Sequence, residues 1–267
     1  MDSQILSPVL SVERLSLEAG DNKLVSDISF NLFDAERVCL IGASGSGKSL
    51  TAKAITGTLP AGIKVKGNIS VTGCKVGGLH ASRRPRHSRV SMIFQDSSTA
   101  LNPLSSVGKQ LALVLKTNDS SIIHNLLNKL KLDDIPDLLK RYPSELSGGQ
   151  RQRICIALAL MGGNRLLVAD EPTTALDVIS QQKVLQVLAH RSTQPDAPAL
   201  LFITHDIAVA AQLCQRAIVM EKGQIVESGS MQQLLNAPCH AYTKKLVRAA
   251  HHAQRQLSIG QYEATGQ

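Results

Sequence analysis

The chain has 267 residues, 43% of them apolar and 19% charged, ordinary globular composition with length for one large or two small domains. Its longest apolar run, Ile154 to Met161, falls far short of the roughly 20 residues that cross a bilayer, and "MDSQILSPVLSVERL" lacks the pattern of a signal peptide, so a soluble or peripherally docked protein is expected. The net charge of +8 gathers partly in Arg83, Arg84, Arg86 and Arg89; with no aromatic beside them and 3% aromatics overall, a solvated loop is expected rather than a nucleic-acid patch.

Residues 8 to 34 alternate apolar and polar, which predicts two or three antiparallel strands. "RVCLIGA" reads as a short apolar strand ending in Gly42, and "GKSLTAKAITGTL" as a helix closed by Gly57 and Pro60. "GNISVTG" and "RVSMIFQ" follow as strands. From about residue 100 to 160 the pattern turns helical ("VGKQLALVLK", "SIIHNLLNKLKL", "IPDLLKRY", "GGQRQRICIALALMGG"), a candidate helical subdomain inserted into an α/β body. Strand and helix then alternate: "RLLVAD", "SQQKVLQVLAHR", "ALLFIT", "DIAVAAQLCQ". "RAIVMEKGQIVESG" reads as a hairpin turning at Lys222-Gly223. The alternation predicts an α/β fold with a largely parallel sheet covered by helices, an N-terminal antiparallel β subdomain and the helical insertion. Near the end, Leu246, Ala250, Ala253 and Leu257 form one apolar stripe, so His240, His251 and His252 read as the polar flank of an amphipathic helix rather than a metal site. Cys39, Cys74, Cys155, Cys214 and Cys239 show no framework spacing, which argues for reduced thiols over disulfides or zinc.

The chemistry concentrates in three places. "GASGSGKS", made of Gly42, Ala43, Ser44, Gly45, Ser46, Gly47, Lys48 and Ser49, fits G-x-x-x-x-G-K-[ST] between a strand and a helix. Its glycines let backbone N–H groups turn inward around phosphate oxygens, and the helix start adds positive dipole. Lys48 would reach the β- and γ-phosphates, and the Ser49 hydroxyl would ligate Mg²⁺. "RLLVADEP" delivers Asp170 at a strand's C-terminal end, where it can hold Mg²⁺ through water. Glu171 beside it is the general base that water attack on a γ-phosphate needs. Gln95 closes "VSMIFQ" and His205 closes "ALLFIT", so both are expected on the same rim. The amide can touch Mg²⁺ or the attacking water, and the imidazole can donate to the γ-phosphate.

The ordered set "GASGSGKS", Gln95, "LSGGQ", "LLVADEP", "TALD" and His205 resembles the ATP-binding-cassette (ABC) family of P-loop NTPases over about residues 8 to 250, which leaves 251–267 as a tail. The resemblance implies a head-to-tail dimer with two ATP molecules at the interface. Each ATP would lie between one subunit's phosphate loop and the other's "LSGGQ": Ser147, the amides of Gly148 and Gly149, and Gln150, opening a helix. Asp177 in "TALD" resembles the residue that crosses that interface.

"FQDSSTALNP", "YPSELSGGQRQR", "DEPTTALDV" and "NAPCHAYTKKL" look like the nickel and peptide importers. That implies a sibling ATPase or a second copy, two transmembrane permease subunits and, indirectly, a periplasmic or surface binding protein, with the ATPase peripheral on the cytoplasmic face of the inner membrane. A short permease helix would press near Gln95 and the helical subdomain, with Glu145 between that cleft and the partner. The short C-terminal region is more like nickel-import ATPases. One departure is Ala19, which falls about where members stack adenine on an aromatic; the missing ring costs about 0.5–1.5 kcal/mol. A DNA-repair ATPase would carry a long coiled coil between Lys48 and Leu146, and a translation factor two cassettes; neither is present. Glu171 and His205 argue against a module that only binds nucleotide.

Overall fold

The computed structural model describes residues 7–97, 100–115, 120–174 and 176–251. In chain order these form β1 (Leu10–Ala19), β2 (Asn22–Leu32), β3 (Arg37–Ile41), α1 (Lys48–Thr56), β4 (Ile63–Val71), β5 (Cys74–Lys75), β6 (Ser91–Ile93), α2 (Val107–Leu115), α3 (Ser120–Lys129), α4 (Gly148–Met161), β7 (Leu166–Asp170), α5 (Val178–Arg191), β8 (Ala199–Thr204), α6 (Ile207–Leu213), β9 (Arg216–Glu221), β10 (Gln224–Ser230), α7 (Met231–Asn236) and α8 (residues 241–251). A four-stranded antiparallel sheet runs β2-β1-β4-β5, and a six-stranded sheet runs β10-β9-β3-β8-β7-β6. The latter is parallel from β9 to β6, with β10 antiparallel at its edge.

β7 and β8 are buried along their whole length, and β3 from Val38 onward. Continuous apolar runs such as "ALLFIT" are what a parallel sheet covered on both faces requires. The two faces separate by residue parity, as period-2 side chains must. Cys39 and Ile41 of β3 join one core with Ile154, Leu188 and Leu213 of the helices, while Val38 and Leu40 join another with Leu10, Ile28 and Ile55 of the antiparallel sheet and α1. The helical insertion shares the first core through Leu111, Leu127 and Leu130. All five cysteines are free.

Several elements differ from the sequence pattern. "IPDLLKRY" forms only a 3-10 turn, Leu138–Lys140, because Pro136 disfavours helix at the residue before it and Asp137 sits at φ 53. β6 ends at Ile93, so Gln95 lies in the loop beyond the strand. The β9–β10 hairpin turns on Lys222 and Gly223 at φ 49 and 79, the two left-handed residues that such a turn demands. Glu227 accepts hydrogen bonds from the N–H groups of Cys239 at 2.8 Å and His240 at 2.9 Å, fastening the approach to α8. Leu246 and Ala250 pack on the core as the stripe requires; His252, Ala253 and Leu257 lie outside the described residues. The most exposed large apolar side chains among the described residues are Leu104, Leu113 on α2, and Val178 and Ile179 at the start of α5, at 88%, 78%, 73% and 66% exposure.

Arg84 corrects the expectation of a wholly solvated basic loop, for it is buried. Its guanidinium donates to Leu79 O and Ala54 O, each at 3.1 Å, and to Ile55 O. Ala54 and Ile55 carry carbonyls of the last turn of α1, which lack helical partners and favour a cation. Burial pushes the group down to about 10, so it stays charged at neutral pH. Arg84→Ala removes the donor from three carbonyls, two of them buried, and is expected to cost about 3 kcal/mol. Urea unfolding with an unchanged midpoint would refute this role.

Candidate active site

β3 delivers the chain to Gly42, and the loop that follows turns on Gly45 at φ 77 and Gly47 at φ 101 before α1 begins at Lys48. A Cβ at Gly42 would stand 2.3 Å from Met220 O, and one at Gly47 would stand 2.9 Å from Val25 Cγ2, so both positions need glycine for space. The loop is tied to the β9–β10 turn by Gly223 N–H donating to Ser46 O at 3.1 Å, and that turn to β2 by Ser26 N–H donating to Gly223 O at 2.8 Å. Lys48 is buried, and its Nζ donates to Gly42 O at 2.7 Å and Ala43 O at 2.9 Å. Burial pushes the ammonium down, opposed by Glu171 and Asp170.

Ser49, one residue into α1, donates to Asp170 Oδ1 at 3.1 Å. Burial pushes Asp170 up from the usual carboxylate range, with the Ser49 bond opposing. A hydroxyl and a carboxylate converging this closely form a hard-oxygen pair, which suits Mg²⁺ better than softer metals. Glu171 follows at φ 44, its N–H bonded to Ile203 O at 2.9 Å. Its Oε2 accepts from Thr174 Oγ1 at 3.1 Å and Gln95 Nε2 at 3.4 Å, and its Oε1 lies 3.3 Å from His205 Nδ1. A cleft of about 190 Å³ opens here, lined by Ser44, Gly45, Lys48, Ser49, Gln95 and Glu171 among others. The structure thus gathers the loop, Asp170, Glu171, Gln95 and His205 at one rim, though they come from separate stretches of chain. Such a site can cradle a polyphosphate and hold a carboxylate where water would attack.

Ser147, Gly148, Gly149, Gln150 and Asp177 do not line that cleft. Ser147 caps α4: its Oγ accepts from Gln150 N–H at 3.2 Å, and Gln150 Oε1 accepts from Ser147 N–H at 2.9 Å. Asp177 caps α5, accepting from Ser180 N–H at 2.9 Å, and that bond holds its carboxyl below the usual range. From the first hairpin it is Leu24 that lines the cleft, and Ala19 does not. Sequence reasoning also missed Thr174 and Gln152. Thr174 left no signal beyond its nearness to Glu171. Gln152 could have been found, since helical spacing puts it on the same face as Cys155 and Ile156, where a polar side chain needs partners.

Strand, phosphate loop, helix and strand-end carboxylates define a P-loop ATPase cassette. The sequence matches the ABC transporter family over residues 25–174, and the chain belongs to that family. It is 40% identical to the "Probable D,D-dipeptide transport ATP-binding protein" of Escherichia coli, over 94% of this chain and 81% of that one. It is 39% identical to the "Metal-staphylopine import system ATP-binding protein" of Staphylococcus aureus, over 90% and 92%, and 37% identical to the "Oligopeptide transport ATP-binding protein" of Escherichia coli, over 86% and 71%. The fold is shared with solved cassettes: an ATP-binding subunit of an ABC transporter superposes with a TM-score of 0.74 at 22% identity, covering 91% of this chain and 99% of that one. A dimeric cassette in a post-hydrolysis state bound to ADP and phosphate gives 0.70 at 24% identity, covering 83% and 98%. No helix among the described residues is long and apolar enough to cross a membrane.

Proposed function

We propose that the chain is the ATP-binding and ATP-hydrolysing subunit of an importer complex, with residues 8–250 as its nucleotide-binding domain and 251–267 as a tail. The observation that carries this is Glu171, held by Thr174, Gln95 and His205 within 3.1–3.4 Å beside the Ser49–Asp170 pair. Lys48 and the amides of the glycine loop bind the phosphates. Ser49, Asp170 and Gln95 would hold Mg²⁺, which would supply positive charge to offset that of the phosphates. Glu171 takes the proton of the attacking water, and His205 donates to the γ-phosphate.

Ser147, Gly148, Gly149, Gln150 and Asp177 stand apart from this chain's own cleft, which supports their serving the ATP of a partner cassette, a homologous ATPase or a second copy. The exposed Leu104, and the groove beside it lined by Pro103, Tyr142, Ser144 and Glu145, support docking of two permease subunits. That assembly places the chain peripherally on the cytoplasmic face of the inner membrane, handling cargo only through the permeases and their binding protein.

The cargo we infer is a metal ion or metal chelate, nickel being the ion that the motif resemblance implies; the metal-staphylopine relative supports the class. Di- or oligopeptide cargo is supported equally by the dipeptide and oligopeptide relatives and stands as the second reading. Deleting the gene is expected to lower accumulation of radioactive nickel. Unchanged nickel uptake with lost dipeptide uptake would transfer the assignment to peptides.

A further inference from the structure

Gln152 lies on α4 shortly after the Ser147 cap, and it is buried to 1% exposure. Its Nε2 donates to Phe94 O at 3.1 Å and to Pro172 O at 3.0 Å. Phe94 precedes Gln95, and Pro172 follows Glu171. One amide group therefore ties the backbone carrying the rim amide to the backbone carrying the proposed base. Its Oε1 is buried with no hydrogen-bond partner among the described residues. A buried acceptor without a partner is costly, and Met would fill the same space without that cost. The side chain is thus better explained by what its nitrogen holds than by packing.

What it holds is delicate. Glu171 sits in the left-handed region at φ 44, a conformation that relaxes unless neighbours fix it. Thr174 pins the turn from one side, its Oγ1 donating to Glu171 O at 3.1 Å; Gln152 pins it from the other. The Gln95–Glu171 bond is 3.4 Å long, so a small shift of either backbone breaks it.

We propose that Gln152 is a positioning residue that sets the spacing of Gln95 and Glu171 and couples both to the helix opened by Ser147. The proposal rests on the assignment of Glu171 as base. Because α4 begins at the segment assigned to a partner's phosphate, a shift of its first turns moves Phe94 and Pro172 together. Phosphate engagement in one cassette is thereby linked to base alignment in the same chain.

The test is steady-state ATP hydrolysis by the full chain assembled with its transporter partners. Gln152→Met removes both donors at similar volume. It is expected to lower kcat on the order of 10- to 100-fold while KM for ATP stays within about twofold, the pattern of misplaced catalytic groups. In a Gln95→Ala background the same substitution is expected to cost far less, since two residues acting through one contact are not additive. Gln152→Glu supplies a second readout should the Met variant fold poorly. Its buried carboxyl, facing two carbonyl oxygens, titrates high, and only its protonated form can donate. Its kcat relative to wild type is expected to recover as pH falls from about 8 to about 6. A Met variant with normal kcat, or full multiplicative loss with Gln95→Ala together with a Glu deficit flat in pH, overturns the proposal. Failure of the underlying reading is seen separately: Glu171→Gln would then hydrolyse normally whatever stands at 152.

Discussion

Glu171→Gln is expected to lower ATP hydrolysis by roughly 10²–10⁴ while trapping an ATP-bound dimer. The amide fits the space the carboxylate leaves: its oxygen can accept from Thr174 and Gln95 as Oε2 does, and its NH₂ group falls where Oε1 faces His205 Nδ1. Geometry is kept, and what is lost is the ability to take a proton. The charge is lost as well, which lowers repulsion against the γ-phosphate, so ATP binding should hold or tighten. Ser147 of one chain and Lys48 of the other would stay clamped on one unhydrolysed nucleotide. Size-exclusion chromatography with ATP and Mg²⁺, with and without the homologous ATPase, reads the dimer. Turnover assays on the same samples read the chemistry. Near-normal turnover in both settings removes Glu171 from the role of base.

Lys48→Ala is expected to weaken ATP binding at least about 100-fold, because the phosphates lose a cation whose charge-assisted bonds contribute about 1.5–3 kcal/mol each. The substitution also strips the donor from Gly42 O and Ala43 O, the two carbonyls that Lys48 Nζ bonds. The loop should therefore lose order as well as charge. Comparing melting temperatures without nucleotide separates the two effects: a small drop there with abolished heat in titration calorimetry is the expected pair. Binding at wild-type affinity would show that Lys48 does not face the phosphates.

Features set by local pattern were legible. The glycine-lysine-serine loop, the acids ending β7 and the residues Gln95 and His205 declare themselves within a few positions, and the alternation of apolar runs announced the α/β sheet. What stayed hidden is set by chain segments far apart. Arg84 reads as one more charge in a basic run, and only the helix end some 30 residues away makes it a buried cap. Gln152 reaches a carbonyl 58 residues distant. The supposed helix at 135–142 failed because Asp137 adopts a left-handed conformation that helical spacing does not reveal. Leu24 lines the cleft from β2, and nothing in the alternation of residues 8 to 34 singles it out.

The exposed Leu104, Leu113, Val178 and Ile179 bear on how the cell keeps count of this chain. Apolar side chains standing in solvent are the features that chaperones hold and that quality-control proteases sample. A copy made in excess of its partners leaves all four uncovered, whereas permease docking at the proposed groove would shield Leu104. Its lifetime would then be set by docking rather than by folding alone, which would match its abundance to that of the permeases without any dedicated control of synthesis.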